Sequence, residues 1–376
     1  MLSGGGVRGA YEVGAVKGIV EILGLKSRDE CPFKVFTGTS VGAINATYLS
    51  AFADQGDMEI DGLIETWCSL KVSDYIQLDV LRGLGSNRKQ RDNKNALIDA
   101  NPLAKLIETK IPFGRLHANR RNGVVKGLVV AALDITKGKT TMFAQISDDW
   151  TFRPSNDPFR NALLTNIELE HVLASAALPF IFPLRKIGNQ YYCDGGVRYN
   201  TPIAPAIRCK VDKIVIIPAL RGPKGSREEE IIGAYPNLTF VVGKLFNALL
   251  ADPLEKDLAI VSRFNRLVEV LDSALTEEER ERVNELFLET RGHEYRHLET
   301  LTIRPSKDIG VLAGNRIKEG IGGAMGWFLK QVLKRTGSDE ADWASYVLFD
   351  GGFASQVIEM GRKDAWDMKE QILSFF

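Results

Sequence analysis

Two hydrophobic periods alternate along the first 220 residues. Tyr11 to Leu23 places Val13, Val16, Ile19, Val20 and Leu23 on one helical face, and Gly24 closes that segment. Phe33 to Thr37 reads as a short strand that runs straight into Gly38–Gly42, and the Ala-rich apolar stretch Ala43 to Phe52 predicts a buried helix. Gly127 to Asp134 is an apolar run that predicts a buried strand, with Thr140 to Gln145 pairing along its edge. Glu168 to Leu178 reads as a helix stopped by Pro179, and Phe180–Pro183 as an irregular apolar stretch. Gln190 to Cys193 predicts a strand ending at Asp194-Gly195-Gly196, and Lys213 to Pro218 a further one.

Charged helical patterns take over from about residue 225. They cover 244–271 and 276–291; a strand at Thr300 to Arg304 follows, then helices around 315–335 and 352–374. Strands alternating with helices in the first half predict an α/β fold around a mainly parallel sheet. The shift in character divides the chain into 1–220 and a mostly helical extension, 221–376, that completes or caps the fold. The polar and basic stretch 84–95 is a candidate lid. Asp350-Gly351-Gly352 echoes Asp194-Gly195-Gly196 with different flanks and reads as coincidence.

Composition narrows the function classes. The chain has 376 residues, 44% of them apolar, which is enough for one large domain with an addition or for two domains. Lys+Arg and Asp+Glu balance at 48 each, so no global attraction to nucleic acid follows and no nucleic-acid partner is expected. Cys31, Cys68, Cys193 and Cys209 form no CxxC pair and read as ordinary buried thiols. No leader pattern and no apolar run of bilayer length are seen, so the expected location is cytoplasmic or peripheral to a membrane. Only Met1 and Leu2 precede the glycine loop, where a strand is expected, so the numbered chain reads as starting inside a longer protein.

Three glycine-bearing motifs carry candidate chemistry. Gly38-Thr39-Ser40-Val41-Gly42, between a strand and a helix, has the form of a nucleophile elbow: a tight turn exposes Ser40, and the glycines remove clashing side chains. Ser40 then lies at a helix N-terminus, which favours a developing anion. A serine hydroxyl needs a base. The four histidines, His117, His171, His293 and His297, lie in polar or amphipathic surroundings, whereas Asp194 stands at a strand end before two glycines. A carboxylate in a dry site can serve as that base, which gives a Ser40–Asp194 dyad. Gly4-Gly5-Gly6-Val7-Arg8-Gly9 supplies bare backbone N–H groups at Gly5 and Gly6 for an oxyanion, with the Arg8 cation nearby.

This order of motifs resembles the patatin-like phospholipases: a glycine loop with an arginine, then GxSxG, then Asp-Gly-Gly. Ala174–Pro179 with Phe182-Pro183, Asp194–Pro202 and Ala132–Gly138 resemble further family segments, and Thr302–Ser306 and Glu359–Ala365 resemble the tail of bacterial members. The clear resemblance spans about 1–220, with traces beyond. It implies a patatin-like three-layer fold, with a central sheet flanked by helices and 1–220 as the catalytic domain. It also implies a serine lipid acyl hydrolase of the phospholipase A, lysophospholipase or esterase type. The roles implied are Ser40 as nucleophile, Asp194 as base, and Gly4, Gly5, Gly6, Arg8 and Gly9 as the oxyanion loop. The substrate implied is a lipid or phospholipid ester, with no cofactor and no catalytic metal.

Rival readings remain open. Gly4, Gly6 and Gly9 also fit GxGxxG, but a dinucleotide site needs a preceding strand and a later acidic residue. His293-Glu294-Tyr295-Arg296-His297 matches the zinc motif HExxH, with Glu319 as candidate third ligand. An inactive storage or binding protein is the third reading. Gly320 to Lys334 could lie on a membrane surface with Trp327 and Phe328 buried in it, or pack on the core.

Overall fold

The computed structural model describes residues 1–71, 100–154, 157–179, 181–198, 203–221, 238–291, 297–319 and 344–376. Eight strands are formed: β1 Val35–Thr39, β2 Gly127–Asp134, β3 Lys139–Ile146, β4 Arg160–Leu164, β5 Arg185–Ile187, β6 Gln190–Asp194, β7 Lys213–Ile216 and β8 Glu299–Thr302. Among the described helices, α1 is Ala10–Ile22, α2 Val41–Ala51, α3 Ile60–Cys68, α4 Asn101–Lys110, α5 Phe113–Arg121, α6 Leu169–Ser175 and α7 Ile203–Arg208. The chain continues with α8 Leu238–Ala274, α9 Glu277–Arg291, α10 Ile309–Glu319, α11 Ala344–Val347, α12 Gly351–Asp367 and α13 Lys369–Phe375.

β2 organises the sheet. One edge pairs antiparallel with β3, whose outer neighbour is the parallel β4. The other edge is shared: β1 pairs in parallel with Gly127–Ala131, and β6 pairs antiparallel with Ala132–Asp134. β1 and β6 therefore meet end to end along one strand, which brings the residue after β1 and the last residue of β6 together. β5 pairs antiparallel with β6, and β7 with β8 in parallel. Leu2 bridges Gly38 and Ile217, both in parallel, so the first residues join the β7–β8 pair to β1. They occupy the place where the sequence suggested a missing strand.

Successive side chains of β2 point to opposite faces. Leu128, Val130 and Ala132 enter the main core with α1 and α2, while Val129 and Ala131 enter a second cluster with Met142, Ala144, Phe152 and Cys209. Burial on both faces explains why β2 is an unbroken apolar run. The result is the expected three-layer α/β fold with a helical C-terminal part, but its central sheet is mixed rather than mainly parallel: β2–β3 and β5–β6 are joined by short turns, which can link only antiparallel strands.

That C-terminal part packs on α1. Tyr11 donates to Asp364 at 3.0 Å, Ser306 N–H donates to the same carboxylate oxygen at 2.9 Å, and Arg362 and Trp366 both donate to Glu21. Phe353 and Val357 are fully buried. Truncating a buried Phe typically costs about 3–5 kcal/mol, so Phe353→Ala is expected to destabilise the fold on that order.

Several elements differ from the sequence reading. α3, α4, α5, α7, β4 and β5 were not anticipated. α5 buries only Leu116 and Asn119, too few apolar positions to show a helical period, and β4 and β5 are short edge strands. α6 stops at Ser175, three residues before Leu178. Cys68, expected to be buried, is exposed: α3 turns Ile60, Leu63 and Trp67 inward and Cys68 outward. Asp350 accepts from Phe353 N–H and caps α12. The segments 84–95 and 320–334, and His293 to Arg296, lie outside the described residues. Among the described residues no helix is long and apolar enough to cross a membrane.

Candidate active site

β1 delivers Ser40 to the end of the sheet. Thr39 pairs with Ala131, Ser40 adopts φ 56° and ψ −128°, and α2 begins at Val41. This left-handed conformation is costly for a residue with a Cβ, on the order of 1–3 kcal/mol, and must be held by its surroundings. The turn is too tight for side chains at either flank. A Cβ on Gly38 would lie 2.3 Å from the Gly42 carbonyl oxygen, and one on Gly42 would lie 2.5 Å from the Leu2 carbonyl oxygen. Ser40 N–H donates to Ser175 Oγ at 2.9 Å, and that hydroxyl donates onward to the Ala131 carbonyl at 2.7 Å.

Asp194 ends β6 opposite Ala132, one register step from the Thr39 partner. Its N–H donates to the Ala177 carbonyl at 2.9 Å. Ser40 Oγ donates to Asp194 Oδ2 at 2.5 Å, and Gly196 N–H donates to Oδ1 at 2.7 Å from the Gly195–Val197 turn. The carboxyl is 1% exposed. Burial pushes its pKa up to about 7, against the opposing hydrogen bonds from Ser40 and Gly196 N–H. Asp194 can thus both take and return a proton near neutral pH.

The glycine loop lies beside this pair. Gly5 and Gly6 line the same cavity as Ser40, and Gly6–Gly9 form a short 3-10 turn leading into α1. Arg8 is 3% exposed; its Nε donates to Ser345 Oγ at 2.6 Å, and its guanidinium carbon stands 4.3 Å from the centre of the Tyr346 ring. The Gly9 carbonyl accepts from Asn45 Nδ2 at 3.0 Å, and the same nitrogen donates to Glu12 Oε2 at 2.9 Å. Trp67 Nε1 donates to Asn45 Oδ1 at 3.2 Å. Burial pushes Glu12 up to about 8, opposed by hydrogen bonds from Asn45 and Ser3.

Ser40 and Asp194 open into a cavity of about 100 Å³. Its walls are apolar: Ile44 and Tyr48 from α2, Leu63 and Trp67 from α3, Leu103, Leu106 and Ile107 from α4, and Leu178 and Phe182. Tyr346 and Phe349 complete it, and Lys110 lines it as a cation.

The other sequence candidates fall elsewhere. His117 contacts the Ile167 carbonyl, His171 accepts from Glu168 N–H, and His297 lies 3.7 Å from Glu269. Among the described residues, none of these lines the cavity, and no group of three or more His, Cys, Asp or Glu side chains is gathered as a metal would require. Ser175, Tyr346 and Phe349 had no role in the sequence reading. Ser175 sits unmarked in an Ala-rich run, and the other two lie far down the chain.

The sheet, the strand–turn–helix serine and the adjoining glycine loop define a three-layer α/β protein with a serine, a buried carboxylate and a glycine loop gathered at one end of the sheet. The chain belongs to the patatin-like phospholipase family: the family model described as "Patatin: Patatin-like phospholipase" matches residues 1–207. Over 216 residues it is 26% identical to "Probable lipid hydrolase 463L" of Invertebrate iridescent virus 6, an alignment covering 55% of this chain and 62% of that one. Over 246 residues it is 25% identical to "Uncharacterized protein L620" of Acanthamoeba polyphaga mimivirus, covering 54% and 61% of the two chains. It thus spans less than two thirds of the length of these curated relatives. The crystal structure of VipD from Legionella pneumophila is similar with a TM-score of 0.37 and 13% identity, covering 98% of this chain and 66% of that one.

Proposed function

We propose that this chain is a serine lipid acyl hydrolase of the phospholipase A, lysophospholipase or esterase type, working through a Ser40–Asp194 dyad and an acyl-enzyme. The observation that carries this reading is the 2.5 Å hydrogen bond from Ser40 Oγ to a buried Asp194 carboxylate that opens onto an apolar cavity. Family membership and the name of the iridescent-virus relative, a probable lipid hydrolase, support a lipid ester as substrate.

The chemistry follows from the geometry. Ser40 Oγ attacks the ester carbonyl carbon as its proton passes to Asp194 Oδ2. The carbonyl oxygen becomes an oxyanion, for which the backbone N–H groups of Gly5 and Gly6 and the N-terminus of α2 are the donors. Collapse breaks the C–O bond, and the leaving alcohol takes the proton from Asp194. Water then attacks the Ser40 ester with Asp194 as base again, which releases the fatty acid and restores both residues.

The direct test is mass spectrometry of the chain after a fluorophosphonate probe, followed by product analysis on phospholipid, lysophospholipid and neutral glycerolipid. The expected result is an adduct on Ser40 and release of free fatty acid. No adduct at Ser40, or no fatty acid from any of the three substrates, overturns the reading.

A further inference from the structure

Residues far outside the family-matched 1–207 reach the active site. Tyr346 and Phe349 line the cavity together with Ser40, Gly5 and Gly6. They belong to a short segment, α11 and the residues after it, that is tied down at both ends. At one end Arg8 Nε donates to Ser345 Oγ at 2.6 Å, and the guanidinium lies over the Tyr346 ring. At the other, Gly351 N–H donates to the Leu70 carbonyl at 2.8 Å, and Asp350 accepts from Arg316 Nε at 2.9 Å. Ser345 and Leu348 between them are fully buried.

The segment touches the glycine loop backbone to backbone. Gly6 has φ 58°, and a Cβ there would lie 2.1 Å from the Tyr346 carbonyl oxygen. No L side chain fits that position, so the loop and the segment must be placed together. Arg8 is buried, does not itself line the cavity, and directs both its Nε and the face of its guanidinium at the segment. A planar guanidinium that stacks and donates at once is a task lysine cannot copy.

We propose that Arg8 is a positioning residue that clamps residues 345–349 onto the glycine loop, so that Tyr346 and Phe349 form the C-terminal wall of the cavity and set the length of acyl chain it takes. The chain-length part rests on the acyl-hydrolase reading; the clamp does not. The role differs from the direct oxyanion contact that the family resemblance implies for Arg8.

The test has two arms on the full chain. Hydrogen exchange of residues 345–349 is compared between the native protein, Arg8→Lys and Arg8→Met, at temperatures well below each thermal transition. Exchange about tenfold faster in both variants is expected. In the second arm, kcat/KM is measured on nitrophenyl esters of four to twelve carbons. Tyr346→Ala and Phe349→Ala should each raise the twelve-to-four-carbon ratio by about tenfold, and Arg8→Lys should move it the same way. Unchanged exchange in 345–349, or a ratio that stays put in all three variants, overturns the proposal. An equal loss on every ester in Arg8→Lys with native exchange would assign Arg8 to the oxyanion instead. If the native chain cleaves no ester, the proposed function fails and the exchange arm still decides the clamp. Should Arg8→Met not fold, Ser345→Ala takes its place.

Discussion

Ser175 Oγ accepts the backbone N–H of Ser40 at 2.9 Å and donates its own O–H to the Ala131 carbonyl, tying the strained Ser40 turn to the centre of the sheet. Two residues on, the Ala177 carbonyl accepts Asp194 N–H. One stretch of chain at the end of α6 therefore holds both members of the proposed dyad by their backbones. Leaving a buried N–H unsatisfied costs about 1–3 kcal/mol, which is roughly a ten- to hundredfold effect if it falls on the transition state. Ser175→Ala is expected to lower kcat by that factor on a short-chain ester, with KM within about threefold. Native kcat in this variant would show that the turn holds itself.

Removing either dyad member should nearly abolish turnover. Ser40→Ala leaves no nucleophile and should take no fluorophosphonate label. Asp194→Asn keeps the shape but cannot accept the Ser40 proton, and loss of a general base typically costs about 10²–10⁴-fold. Steady-state kinetics on a nitrophenyl ester checks both. Full activity in Asp194→Asn would move the base elsewhere.

The pH dependence has a definite sign. Burial raises Asp194 to about 7, and the attack needs its ionised form, so kcat/KM should rise with pH and level off above about 7. Stability runs the other way. The folded pKa lies above the ordinary carboxylate value of 3.8, so the stabilising contribution of Asp194 is complete below 3.8 and is lost as pH rises through about 7. Asp194→Asn should therefore melt higher than the native chain at pH 8, with the gap closing toward pH 4. Thermal melts across that range decide it.

Glu12 gives a parallel effect away from the dyad. Burial lifts it to about 8 while it accepts from Asn45, so its neutral form is the one that suits the fold. Its stabilising contribution is complete below the ordinary value of 4.5 and falls as pH rises through about 8. Glu12→Gln keeps a neutral acceptor of the same shape. Placed in an Asp194→Asn background, it should flatten the remaining fall of Tm between pH 5 and 9. An unchanged slope would mean that Glu12 ionises as freely folded as unfolded.

Much of the site could be read in the sequence because its determinants are local. Gly38 and Gly42 announce a turn without room for side chains, and Asp194-Gly195-Gly196 announces a carboxylate followed by a free backbone N–H. α1 is legible from the helical period of its large apolar residues, although the helix is buried nearly all round, and β2 from its unbroken apolar run. α4 and α5 were not, since α4 buries only Ile107 fully and α5 only Leu116 and Asn119. Both go unseen although α4 supplies one wall of the cavity.

By itself the sequence determined the nucleophile's turn, the candidate base, the glycine loop and the alternation that makes an α/β fold. Each of these depends on residues within a few positions of one another. Only the tertiary structure decided what lies between them: the end-to-end meeting of β1 and β6 along β2, the grip of Ser175 and Ala177, and the closing of the cavity by Tyr346 and Phe349. Those contacts join segments that lie from 17 to more than 300 residues apart along the chain. They are selected by packing and hydrogen-bond satisfaction across the whole core, which leaves no periodic trace along the chain.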